Sequence, residues 1–258
     1  MSKFEQLVEI MSRLRAPGGC PWDREQTHES LKSYLIEEAY ELLEAIDEQN
    51  DRDIRDELGD VLLQVIFHAQ LAVEENRFDI EDVAGAISEK LIRRHPHIFG
   101  DTRAEDANRV LQNWEAIKSQ ENKDKGDRDS VLGGIPRALP ALQRARRTQE
   151  RASRVGFDWE EAGEVAKKVK EEVDEFLEAH SSGDRPHAEE ELGDILFALV
   201  NLSRFMKICP EEALRKTIAK FEKRFHYIEE ELEKQDKSPR TASLEEMDQL
   251  WEKAKDIR

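Results

Sequence analysis

The chain has 258 residues, more than a single domain of ~100–200 residues usually holds, so its length favours two domains, each able to bury its own core. Hydrophobic and charged residues each make up 38% and the formal net charge is −18, which describes a solvated acidic surface that repels nucleic acid and anionic membrane. Two cysteines outside any CxxC arrangement argue against a disulfide scaffold, a zinc site or a redox motif, and no targeting segment or run of ~18 apolar residues is visible; the expectation is a cytoplasmic protein whose phosphate-bearing ligands arrive with a cation.

Apolar spacing predicts helices throughout. Residues 4–15 read as an amphipathic helix. Leu35, Ile36, Ala39, Leu42, Leu43 and Ile46 then fall at steps of one, four, seven, eight and eleven, a helical stripe. Segments 53–75, 79–94 and 105–120 follow. Residues 122–136 mix charge, glycine and proline without periodicity and read as a linker. Beyond it, 160–180, 187–207, 211–233 and 244–257 are again helical. No run alternates with period two, so the predicted fold class is all-α, with domains 1–121 and 137–258. Gly18-Gly19 and Gly133-Gly134 read as turns.

The two halves repeat one another. Glu37, Glu38, Glu41, Glu57 and Asp60 recur as Glu171, Glu172, Glu175, Glu191 and Asp194, at an offset of 134 for every pair. Leu58-Gly59 matches Leu192-Gly193, Lys90 and Arg94 match Lys220 and Arg224 in spacing, and Trp-Glu-x-x-Lys closes each half at Trp114 and Trp251. A duplicated domain accounts for all of these.

In each copy one helix carries acids at i, i+1 and i+4, and a second supplies Glu-Leu-Gly-Asp sixteen residues later. Those spacings put Glu38, Glu41, Glu57 and Asp60 on facing surfaces, and likewise Glu172, Glu175, Glu191 and Asp194. Asp194 stands in the apolar segment LGDILFALVNLSRFM, which is expected to be mostly buried, and a lone buried carboxylate needs a cationic partner or a metal. Clustered hard oxygens favour Mg²⁺ or Mn²⁺. Solvated surface acids paired with lysine are the bland alternative for any one cluster; repetition argues against it.

Lys220 and Arg224, one turn apart, are candidate phosphate contacts, as are Lys90 with Arg94, and Lys168 one turn before Glu172. Trp251 and Trp114 offer rings for stacking on a base or, as is commoner in terminal amphipathic helices, for a core. His68 and the His95-Pro96-His97 run receive structural roles. No P-loop, dinucleotide fingerprint, serine-hydrolase elbow or HExxH is present.

The doubled acidic pattern, with the phrases GGCPWDREQT, ELGDVLLQVIFHAQLA, RRHPHIFGD, VGFDW and ELGDILFALVNL, resembles the MazG family of nucleoside triphosphate pyrophosphohydrolases over almost the whole chain. The resemblance implies tandem helical-bundle domains, a homodimer, and Mg²⁺-dependent conversion of nucleoside triphosphates, ATP among them, to monophosphate and pyrophosphate, with Mn²⁺ as a substitute metal and broad base tolerance. It places metal ligands on Glu172, Glu175, Glu191 and Asp194, with a second set on Glu38, Glu41, Glu57 and Asp60. Nucleotide contacts fall on Lys168, Glu171, the stretch from His187 to Glu190, Lys220, Arg224 and Trp251. On this reading water attacks the α-phosphorus, Glu171, Glu172 and Glu175 are the catalytic candidates, and Glu171 or Glu175 orients or deprotonates that water. The family leans toward the second copy as catalyst, although the first retains every acid. A narrower house-cleaning pyrophosphatase for pyrimidine or damaged nucleotides, or a non-catalytic metal-binding helical dimer, are the alternative readings.

Overall fold

The computed structural model describes residues 1–100 and 130–255, together with Asp106, Val110, Asn113, Trp114, Ile117 and Glu121. Every regular element among the described residues is a helix. The chain divides into two compact units, Met1–Glu121 and Asn122–Arg258. Most of the predicted helix 105–120 and the first part of the 122–136 linker lie outside the described residues.

The first unit begins with α1 (Lys3–Arg15), which starts in a capping box: the Ser2 hydroxyl accepts from the Glu5 amide and the Glu5 carboxylate accepts from the Ser2 amide. It ends at the Gly18-Gly19 turn, where Gly18 has φ +86° and a Cβ on Gly19 would lie 2.2 Å from the Leu14 carbonyl oxygen. A short α2 (Pro21–Glu25) leads to α3 (Lys32–Glu48) and α4 (Asp51–Glu74), then α5 (Ile80–Arg94) and α6 (Pro96–Phe99). The second unit comprises α7 (Ala141–Ser153), α8 (Ala162–Ser182), α9 (Arg185–Phe205), α10 (Pro210–Glu233) and α11 (Leu244–Ala254).

Each unit is built on a helical hairpin, α3 with α4 and α8 with α9, and both use the same two-residue link. Gln49 takes the left-handed conformation at φ 56° and Asn50 caps α4 by accepting from the Arg52 amide. Gly183 does so at φ 75° and Asp184 caps α9 by accepting from the His187 amide. Such short links force the helices antiparallel and fix which turns face one another.

Met11, Leu31, Ile66, Phe67 and Leu71 form the first core, where α1 packs on α4. The Arg15 side chain fastens this arrangement: its guanidinium pairs with Glu74 at 2.7 Å, lies 5.4 Å from the Phe67 ring centre, and donates to the carbonyls of Asp23 and Gln26. In the second unit Ile228, Leu232 and Leu250 form a core between α10 and α11.

Two features depart from expectation. The helix α7 has no predicted counterpart, because ALQRARRTQERAS offers mostly alanine as its apolar stripe; good helix formers, rather than a hydrophobic face, identify it. The stripe on α3 is largely uncovered as well, with Leu35, Ile36, Leu43 and Ile46 exposed. Large apolar residues left open on this scale mark a surface for another protein surface. Replacing Ile66, fully buried in the first core, with alanine is expected to cost about 2–5 kcal/mol, read as an earlier urea midpoint for this unit; a loss below about 1 kcal/mol would contradict the assigned packing.

Candidate active site: two carboxylate hairpins

Hairpin geometry brings the acids together. Glu172 and Glu175 on α8 and Glu191 on α9 each place a carboxylate oxygen within 4.8 Å of the other two, and Glu38, Glu41 and Glu57 form the matching trio in the first unit. Asp194 and Asp60 stand outside these trios and are exposed. Asp60 nevertheless faces Glu38 closely enough to raise its pKa.

The exposure of Asp194 corrects the expectation of a buried segment. Its helix also presents Leu192, Leu196, Phe197 and Leu199 to the outside, so the apolar run marks an open face rather than a core. The buried acids are instead Glu172 and Glu191, at 7% and 8% exposure.

Both trios suit a hard divalent cation. All donors are carboxylate oxygens, and opposite ligands on an octahedral Mg²⁺ at about 2.1 Å stand about 4.2 Å apart, a span these side chains reach with small movements. Glu191 Oε2 and Glu57 Oε2 are shut off from solvent without a hydrogen-bond partner. An orphaned buried acceptor costs roughly 1–3 kcal/mol or more, which a bound cation removes.

The copies differ in how their acids are neutralised. In the second unit Lys168 Nζ lies 2.9 Å from Glu172 and 2.7 Å from Glu171, and His187 Nε2 lies 2.9 Å from Glu191. The bond from Lys168 holds the Glu172 carboxyl below the usual carboxylate range. Its hydrogen bond to Glu172, together with burial and the nearby Glu191, pushes Glu175 up. Counting back 134 residues, Lys168 and His187 correspond to Tyr34 and Asp53, neither of them a cation. Burial, then Asp60 and Glu41, raises Glu38 against an opposing hydrogen bond from Gln64; burial, then Glu41 and Asp60, raises Glu57.

Other predicted contacts gather elsewhere. Glu190 is exposed beside Glu191, and Lys220 is exposed on α10. The Arg224 guanidinium lies 5.4 Å from the Trp251 ring centre, and that ring packs against the core of Ile228, Leu232 and Leu250. Helix α10 packs mainly on α11 and α7, so Lys220, Arg224 and Trp251 form a cluster of their own. In the first unit Lys90 is exposed, while Arg94 covers the Trp114 ring at 5.0 Å and pairs with Glu121 at 2.5 Å. Residue-level sequence reasoning passed over His187 as a partner for Glu191, although its position one turn before that acid carried the signal.

Beside the second trio lies a cleft of about 630 Å³ that Lys168, Glu172 and Asp194 help to line. Phe157, Trp159 and Phe197 supply aromatic walls. Arg204 holds the loop that carries two of them, donating to Asp158 Oδ2 at 2.9 Å and keeping that carboxyl below its usual range.

Known proteins share this arrangement of sequence. The model of the MazG nucleotide pyrophosphohydrolase domain matches twice, at residues 26–99 and 159–228. A nucleoside triphosphate pyrophosphohydrolase/pyrophosphatase MazG from Thermotoga maritima is 54% identical over 98% of this chain and 95% of its own length. A nucleoside triphosphate pyrophosphohydrolase from Escherichia coli K12 is 47% identical over 99% of this chain and 98% of its own. The uncharacterised YabN of Bacillus subtilis is 50% identical over 98% of this chain, which spans 52% of that protein.

The raised pKa of Glu38 yields a signed prediction. A folded pKa above the unfolded value of ~4.3 means that the folded state binds the proton more readily; the destabilisation is full at neutral pH and is relieved as pH falls through the folded value. Glu38→Gln should therefore raise the thermal midpoint of the metal-free protein at pH 7, by a margin that shrinks toward pH 4. A margin that grows on acidification would reverse the assignment.

Proposed function

The chain belongs to the MazG nucleotide pyrophosphohydrolase family, and from that membership we propose that it hydrolyses nucleoside triphosphates to monophosphate and pyrophosphate with Mg²⁺ and broad base tolerance. The observation that carries the reading is the trio with its two buried acids, Glu172 and Glu191, the orphaned Glu191 oxygen, and Lys168 set against Glu172.

In this proposal Glu172, Glu175, Glu191 and the exposed Asp194 hold the metal, which when bound neutralises phosphate charge and acidifies a water. Mn²⁺ meets the same oxygen donors. Lys168, which pairs with Glu171 and Glu172, would turn to phosphate oxygens once a bound cation offset the acids. Glu171 is exposed, outside the trio and paired with Lys168; with that lysine turned to phosphate it would orient the attacking water toward the α-phosphorus or accept its proton. Glu175, pushed up in pKa, is the second candidate for that role. Most of the catalysis is then positioning and charge neutralisation.

A cytoplasmic homodimer completes the proposal. Leu192, Leu196 and Leu199 on α9, with Leu58, Leu62 and Val65 on α4, form apolar faces that a second copy would cover. No described helix is long and apolar enough to cross a membrane, and the net charge of −18 disfavours nucleic acid as a partner. Lys220, Arg224, Glu190 and Trp251 belong to the proposal as nucleotide contacts completed on assembly.

The test is pyrophosphate release from a panel of nucleoside triphosphates with and without Mg²⁺, using wild type, Glu172→Gln and Glu38→Gln in parallel. Turnover should require Mg²⁺ and fall by at least about 100-fold in Glu172→Gln. Metal-dependent stabilisation without turnover of any triphosphate would instead support a metal-binding module, and turnover confined to pyrimidine or damaged nucleotides would support the narrower enzyme.

A further inference from the structure

The two units place different residues at one equivalent core position. Both α1 and α7 have thirteen residues, both precede the acidic hairpin, and both pack on its second helix. Each buries a single residue, the ninth: Met11 in α1 and Gln149 in α7. Met11 is apolar and completes the first core. Gln149 is 7% exposed and lines the cleft beside the second trio.

Gln149 is only half satisfied there. Its Nε2 donates to the Phe197 carbonyl at 2.8 Å, which fixes the orientation of the amide, because a carbonyl can be met only by the NH₂ end. Its Oε1 is enclosed without a donor. Burying an unpaired acceptor where the sister unit carries methionine gives up stability, and such local losses concentrate where a ligand supplies the missing partner.

The surroundings specify that ligand. Lys168, Glu172 and Asp194 border the cleft on the side of the proposed triphosphate site, while Phe157, Trp159 and Phe197 give flat apolar walls suited to a heteroaromatic ring. Resting on the triphosphate reading above, we propose that this cleft receives the nucleobase and that Gln149 accepts a hydrogen bond from an N–H on its edge. Each common base carries such a donor, so the contact selects for a nucleobase without selecting one base, in keeping with broad tolerance. Met11 closes the equivalent position in the first unit.

The experiment compares ATP with purine riboside triphosphate, whose base lacks the exocyclic amino group and offers no N–H on its edge. Wild type should favour ATP by about tenfold in kcat/KM, mainly through KM. Gln149→Met should reduce that preference to within about twofold, leave kcat for purine riboside triphosphate near wild type, and weaken calorimetric binding of the non-hydrolysable α,β-methylene ATP by about tenfold. Equal kcat/KM for the two triphosphates in wild type would overturn the proposal whatever the variant does, as would a Gln149→Met protein that keeps the wild-type preference. In either case pyrophosphate release by wild type would leave the enzyme reading standing. Failure of wild type to hydrolyse any triphosphate would remove that reading and this one together.

Discussion

Like charges held close together are the constraint around which both units are built. Three carboxylates sharing a space of under 5 Å repel one another and lose hydration, so the hairpin that gathers them must be anchored by packing elsewhere. The first unit supplies that anchor through its core at α1 and α4 and the Arg15 contacts. In the second unit Lys168 and His187 share the task by pairing directly with the acids. Stability is thus spent on a site that a divalent cation would relax.

Duplication has left two versions of one solution. The acids themselves are the same, but the groups around them have diverged: Tyr34 against Lys168, Asp53 against His187, Met11 against Gln149. All three differences point in one direction. The second unit sets Lys168, His187 and an aromatic-walled cleft beside its carboxylates, whereas the first sets Tyr34, Asp53 and the buried Gln64 beside its own. The two units differ in the side chains adjoining the acids, a difference that the acids alone do not reveal.

Much of this was legible in the sequence for a physical reason. Helical period and the offset of 134 are properties of spacing, which survive without knowledge of tertiary contacts, so the all-α class, the repeat and the facing Glu pairs could be read directly. Burial could not. Asp194 looked buried because its neighbours are apolar, yet Leu192 and Leu196 are themselves about half exposed at 47%. An apolar stripe reports that a face avoids water without saying whether its cover comes from the same chain. Helix α7 escaped notice for a different reason: its apolar positions are almost all alanine, and its contribution to the cleft comes from Thr148, Gln149 and Ala152, none of them a large apolar residue.

The two-residue links of the hairpins also bear on how such a protein can change over time. Adding one residue there would turn the following helix by about 100° and carry Glu57 or Glu191 off the face shared with its partners. Links of equal length, residues 49–50 and 183–184, persist in both units, while the connection before the hairpin runs to sixteen residues (16–31) in one and eight (154–161) in the other. The two units thus differ in length where no carboxylate register depends on it. At the hairpin turns, chain length is itself an inherited trait, held constant by the angular register of the carboxylates it delivers.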